Sequence, residues 1–276
     1  MKYFWVFFFV AWPLVAVAAC AVSPALDMWL PPRQLSDVTT NVTSVNPLGR
    51  EIDGLFYMIL WITGIVFVLT QVALAWVLFQ GARRDRRAEF IHGNTRLEVL
   101  WTVVPGAVLL FIAFDQLDVW AKFRVVEAFP QTALERPLAE IEAHQFGWRI
   151  RYPEYGEILS EAPRPGDVYD HDRLYIPVGE PVLIWLSTRD VQHSFFIPQF
   201  RIKQDALPGQ MIPVWFQADE PGEYEFLCAE LCGWGHYKMG GMIIAEEAPG
   251  HAASLKALAR HNQYDGVSKP EKLSEH

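Results

Sequence analysis

The chain has 276 residues, 51% of them apolar, and a formal net charge of -9 at neutral pH. That length and apolar content suit membrane spans plus one domain of ordinary size, and leave no room for several large domains. The whole net charge falls in the second part: residues 1–117 carry 8 acidic and 8 basic side chains, and residues 118–276 carry 24 and 15. An acidic domain of this kind argues against nucleic acid as a partner and for a basic protein, although ordinary solubility accounts for it equally well.

In chain order, residues 1–20 read as a signal peptide: Met1-Lys2, an aromatic and aliphatic run, then Val17-Ala18-Ala19 before Cys20. The same four positions resemble a bacterial lipoprotein signal, in which Cys20 becomes the acylated N-terminus. A plain cut nearby and an uncleaved anchor are the alternatives. Residues 21–50 follow as an N-terminal segment outside the membrane. Residues 51–120 read as a transmembrane hairpin of two helices, with spans at about Leu55–Phe79 and Leu97–Val119, the second interrupted by Pro105. Each is long enough to cross a hydrocarbon core of about 30 Å at about 1.5 Å per residue. The intervening Arg83-Arg84-Asp85-Arg86-Arg87 marks the cytoplasmic side. It leaves both chain ends, and the soluble domain, on the outer or periplasmic face of a bacterial-type plasma membrane. Thr95-x-x-Glu98 reads as a capping box at the start of the second span.

Residues 121–246 read as an all-β domain. Arg173–Val178, Pro181–Ser187, Met211–Gln217 and Gly240–Ala245 are short, β-branched or aromatic runs bounded by glycine and proline, a pattern suited to a sandwich or barrel. The tail, 247–276, holds one helix-like stretch at Ala252–His261 and then a charged, mobile end.

The chemistry concentrates in Cys228-Ala-Glu230-Leu-Cys232-Gly-Trp-Gly-His236-Tyr-Lys-Met239, with His193 upstream in Asp190-Val-Gln-His193-Ser. Thiolates, imidazoles and a thioether form a soft ligand set that suits copper better than a hard cation. Cysteines four apart can bridge one pair of metals, each metal then taking one histidine and one weak axial ligand, and such a site exchanges single electrons. A disulfide and a structural zinc site compete for the same residues. Zinc motifs, however, have no use for a methionine three residues after the histidine.

This loop resembles the dinuclear CuA centre of subunit II of cytochrome c oxidase. The likeness extends over about residues 50–245, through Leu97-Glu98-Val-Leu-Trp101, Asp190-Val-Gln-His193-Ser, Lys203-Gln-Asp205-Ala-Leu-Pro208-Gly209 and Pro221-Gly222-Glu-Tyr-Glu. It implies a membrane-anchored, cupredoxin-like Greek-key β-barrel. In it His193 and Met239 complete one copper, His236 and the backbone carbonyl of Glu230 the other, and Cys228 and Cys232 bridge both. It further implies that the Glu230 side chain reaches a magnesium ion shared with the catalytic subunit, and that Glu98 lies at the mouth of a proton path. The family carries a tryptophan directly after His-Gln where electrons enter; this chain has Phe146 in Ala143-His144-Gln145-Phe146-Gly147-Trp148, so Phe146 and Trp148 are the candidates for electron uptake.

The function implied is that of an oxidoreductase subunit in a proton-translocating respiratory complex. It would take electrons from cytochrome c, the chain containing no Cys-x-x-Cys-His for a heme of its own. It would pass them to the heme-bearing catalytic subunit I, among the other oxidase subunits in the lipid bilayer, for reduction of oxygen to water. The copper subunit of a nitric oxide reductase and a copper-delivery or assembly protein are the alternatives. Nitrous oxide reductase is soluble, and quinol-oxidising relatives lack the ligands.

Overall fold

The computed structural model describes residues 3–22, 44–83, 90, 92–154 and 156–260. Arg84–Arg87, His261 and the rest of the tail, and most of the segment between the first two helices lie outside the described residues. The chain divides into two compact units, one built from 3–22, 53–83 and 92–118, the other from 44–52 and 119–260.

The first unit is helical. Helices α1 (Phe4–Val22), α2 (Pro47–Arg83) and α3 (Thr95–Arg124) are each long and apolar enough to cross a membrane, with mean hydropathies of 2.3, 2.2 and 2.1 in their most apolar stretches. Length and composition therefore admit three spans where the sequence reading expects a hairpin of two and counts α1 as a signal. Apolar side chains such as Trp61, Leu69, Val103 and Phe111 point outward along α2 and α3, as lipid-facing residues do. Helix α3 continues through Pro105 without a break. Its start is capped by Asn94, whose side-chain oxygen accepts from the backbone N–H groups of Arg96 and Leu97 at 3.1 and 3.3 Å. The cap expected of Thr95 thus belongs to its neighbour, and Glu98 lies exposed in the first turn.

The second unit is a β-sandwich. Ten strands, β1 (Ala139–His144), β2 (Gly147–Tyr152), β3 (Val168–His171), β4 (Arg173–Pro177), β5 (Val182–Thr188), β6 (His193–Ile197), β7 (Ile202–Ala206), β8 (Ile212–Phe216), β9 (Gly222–Cys228) and β10 (Gly240–Glu246), form two five-stranded sheets. One has the order β3-β2-β1-β5-β8, the other β4-β10-β9-β6-β7. All pairings are antiparallel except β1 with β5 and β4 with β10. The sequence runs read as strands become β4, β5, β8 and β10.

Alternation along these strands drives one face of each sheet inward. Ile141, Ile150, Leu174, Phe195, Phe226 and Ile243 meet there in one core that also takes in Cys228, Cys232 and Met239. Residues 44–52 join this unit, although the sequence reading left residues 21–50 apart from it. Val45 is buried, Asn46 Nδ2 donates to the Phe200 carbonyl at 3.2 Å, and Asp219 N donates to the Val45 carbonyl at 3.0 Å. Helix α4 (Gln131–Glu135) precedes β1, and α5 (Ala248–Ala259) packs against β3, β4 and β10.

Candidate metal centre

The centre forms where three strands of one sheet end. Strand β9 stops at Cys228 and β10 begins at Gly240, and their antiparallel pairing, with Gly240 opposite Leu227, folds the intervening residues into a loop over the sheet end. Cys228 N donates to the Met239 carbonyl at 2.9 Å and closes the loop at its base. Strand β6 is the next neighbour, with Phe195 opposite Cys228, which sets His193 beside that cysteine. Gly233, at φ 137°, makes the turn between Cys232 and His236 in a conformation that side chains disfavour.

Six donor groups converge. Cys228 Sγ lies 3.9 Å from Cys232 Sγ, 3.8 Å from His193 Nδ1 and 3.2 Å from the Glu230 carbonyl oxygen. Cys232 Sγ lies 3.6 Å from His236 Nδ1 and 3.7 Å from Met239 Sδ. Both cysteines are free thiols, so no disulfide occupies the loop. A metal–thiolate bond is about 2.3 Å and a metal–imidazole bond about 2.0 Å, so one ion can touch both sulfurs, or a sulfur and its histidine, without moving the backbone. His193, Cys228 and Cys232 alone offer three ligand atoms within 4.8 Å of one another. The distances group His193 and the Glu230 carbonyl about Cys228, and His236 and Met239 about Cys232.

The surroundings prepare the ligands. Asp190 Oδ1 lies 2.9 Å from His193 Nε2 and holds that nitrogen as a donor, so that Nδ1, on the Cys228 side, is the nitrogen a metal would take. Asp190 also accepts from the backbone N–H of Gln145 at 2.8 Å and of Val191 at 2.7 Å. Partial burial works against its charge, but these bonds and the one to His193 outweigh it and hold the Asp190 carboxyl below the usual carboxylate range. Gln145 in turn donates from Nε2 to the Cys232 carbonyl at 2.5 Å, tying the β1–β2 turn to the loop. Burial works against a thiolate at Cys228, but hydrogen bonds from His193 and the neighbouring backbone bring its pKa down to about 6. Cys232 is pushed up to about 11, by burial and by the charge on Cys228 beside it. A metal therefore meets one thiolate already formed, and binding expels the proton of the other.

The residues singled out for electron uptake lie at different depths. Trp148 is fully buried (0% exposed), its ring edge-on to His193 at 6.3 Å and to Phe195 and Phe226 at 5.4 and 5.7 Å. Phe146 is half-buried above Gly233 and Gly235 and meets Trp234 at 5.3 Å between ring centres. Sequence reasoning passed over Gln145, Trp234 and the inward role of Asp190. The Asp190–His193 spacing of three residues was the available signal for its inward role.

A membrane-anchored β-sandwich that gathers two thiols, two imidazoles, a thioether and a carbonyl on one loop and one strand defines a cupredoxin-like protein whose cysteine and histidine cluster is compatible with soft-metal binding. Residues 139–247 match the family described as cytochrome C oxidase subunit II, periplasmic domain, and residues 40–119 its transmembrane domain. The chain is 31% identical to the alternative cytochrome c oxidase subunit 2 of Bradyrhizobium diazoefficiens over 74% of its own length and 79% of that protein's. It is 32% identical to cytochrome c oxidase subunit 2 of Alkalihalophilus pseudofirmus, over 79% of this chain but only 63% of that relative. The crystal structure of the periplasmic domain of subunit II of cytochrome oxidase from Bradyrhizobium japonicum aligns with a TM-score of 0.39 at 23% identity, covering 45% of this chain and 94% of that one. The chain belongs to the cytochrome c oxidase subunit II family, whose members are subunits of a membrane oxidoreductase.

Proposed function

We propose that this chain receives electrons for a terminal heme-copper oxidase: it accepts them one at a time from a c-type cytochrome outside the membrane and hands them to a heme-bearing catalytic subunit that reduces oxygen to water. The observation that carries this reading is the convergence of the Cys228, Cys232, His193, His236, Met239 and Glu230 donors at 3.2–3.9 Å around the two sulfurs. When bound there, a dinuclear copper supplies a one-electron store shared between two nuclei.

The chain's own residues do the rest. Cys228 and Cys232 would hold both ions, with His193 and Met239 completing one and His236 and the Glu230 carbonyl the other. Asp190 and Gln145 fix His193 and the loop, and a stiff sandwich end limits the rearrangement that would slow each transfer. Glu230 offers its carboxylate to a magnesium ion shared with the catalytic subunit, and Glu98 feeds protons toward that subunit from the cytoplasmic side. Phe146, half-buried against the ligand loop, and Trp148, buried beside His193, are candidates for the electron's route. Residues 1–20 are a signal removed on export, which leaves α2 and α3 as the anchor in the lipid bilayer.

The test is reduction of the purified complex by a reduced c-type cytochrome, followed with oxygen and with nitric oxide as acceptor. Oxygen consumption coupled to cytochrome oxidation supports the reading. Turnover of nitric oxide alone assigns the chain to the reductase branch of the heme-copper group. Copper lost at once to a mild chelator, with no cytochrome oxidation, makes it a delivery protein.

A further inference from the structure

Trp234 is 77% exposed although it stands between two metal ligands, Cys232 and His236, in a loop whose ligands are largely buried. A bare indole on a loop tip gains nothing for folding, since no core covers it. Leu231 and Tyr237 on the same loop are 78% and 82% exposed, so the loop turns an apolar surface outward just where the ligands turn inward. The Trp234 ring rests on Phe146 with centroids 5.3 Å apart and planes at 67°, an edge-to-face pair. Lys238 Nζ sits 5.1 Å from the centre of the same indole, a cation–π contact that steadies the ring in its outward pose.

Beneath this pair, Phe146 covers the backbone of the ligand loop. A side chain at Gly235 would come within 2.5 Å of the Phe146 ring, and one at Gly233 within 3.0 Å. Both glycines flank the loop between Cys232 and His236, and Gln145, next to Phe146, donates to the Cys232 carbonyl. A continuous stack therefore runs from solvent through the Trp234 indole and the Phe146 phenyl to the Cys232 segment. Trp148, buried behind His193, reaches no solvent.

Resting on the reading that this chain takes electrons from a cytochrome, we propose that Trp234 is the contact through which the donor docks and its electron enters, with Phe146 as the second ring of the path. The occupant is a small c-type cytochrome whose heme edge opens in an apolar patch. One electron leaves its ferrous heme, which becomes ferric, and reduces the copper pair by one; no bond forms or breaks and no proton moves. Tunnelling falls steeply with distance, and the indole leads through the Phe146 ring onto the segment between Cys232 and His236. Aromatic anchors of this kind dominate the affinity of small interfaces.

The test uses the purified complex with Trp234→Ala, Trp234→Phe and Phe146→Leu. Binding of oxidised cytochrome c is measured without turnover, and copper reduction by reduced cytochrome c is followed by stopped flow. Trp234→Ala should weaken binding and lower the second-order rate by about tenfold, the loss expected for an interface anchor, with copper content and spectrum unchanged. Trp234→Phe should recover most of both. Phe146→Leu should slow electron transfer while leaving binding near native. Native binding and rate in Trp234→Ala would overturn the proposal. So would slower transfer from copper to heme, or loss of the catalytic subunit, because the indole would then face that subunit. If the unaltered complex takes no electron from any cytochrome c, the functional reading itself fails.

Discussion

Asp190→Asn isolates one carboxylate that decides which nitrogen of His193 is free for metal. Asp190 Oδ1 meets His193 Nε2 at 2.9 Å and Val191 N at 2.7 Å, while Oδ2 accepts from Gln145 N at 2.8 Å. An asparagine in the same pose has one oxygen for these donors. With its amide toward Gln145, it faces an N–H with an N–H; with its amide toward His193, it turns Nε2 into an acceptor and moves the imidazole proton to Nδ1. That is the nitrogen 3.8 Å from Cys228 Sγ, where a metal must sit. Loss of an outer partner of this kind costs about 10- to 100-fold in metal affinity, or about 1.4–2.8 kcal/mol. Copper affinity should therefore fall by that factor in Asp190→Asn, measured by competition with a calibrated chelator at neutral pH, and at least as far in Asp190→Ala. Native affinity in both variants, with only the rate of cytochrome encounter changed, would refute the positioning role.

Other outcomes follow from the same structure. Trp148→Ala should cost about 3–5 kcal/mol of stability in urea unfolding of the detergent-solubilised chain, as large aromatic truncations in cores do. Trp148→Phe should cost much less, since the buried indole nitrogen makes no hydrogen bond that the change would remove. His251, on α5, is pushed toward its neutral form by burial, against a hydrogen bond to the Tyr175 backbone and the charges of Glu246 and Glu180. Its stabilising share is thus full above the ordinary histidine pKa of about 6.5 and is lost as pH falls through the lower folded value. The protection factors of the α5 amides, corrected for the intrinsic pH dependence of exchange, should fall on acidification from about 6.5 downward, and His251→Phe should flatten the dependence. Glu98→Gln should leave the Asn94 cap and the helix content of α3 intact while slowing proton uptake during turnover; unchanged uptake would leave Glu98 without a part in proton delivery.

The candidate ligand set was legible in the sequence because its residues are local. Five of the six donors fall within twelve residues, and softness alone sorts copper from hard cations. The strands were legible for the same reason: β-branched runs punctuated by glycine and proline need no partner to be recognised. What lay beyond reach depends on contacts that only the fold makes. The step of Trp234 onto Phe146 joins a loop to a turn in the other sheet, and the anchoring of Val45 and Asn46 beside Phe200 joins the residues just before α2 to the turn between β6 and β7. The cap at α3 was missed by one residue because Asn94 and Thr95 are both competent caps, and the choice between them lies in backbone geometry. Trp148 read equally well as a surface contact, since alternation assigns it to a face without saying that the face is the core.

The central claim is that Cys228 and Cys232 bridge a pair of coppers. Paramagnetic resonance of the copper-loaded chain, with metal quantified on the same sample, tests it most directly. The account predicts two coppers per chain and one unpaired electron whose hyperfine splitting arises from both nuclei, a signal abolished in Cys228→Ser and in Cys232→Ser. A single copper with splitting from one nucleus, or a stable chain holding zinc alone, would contradict it.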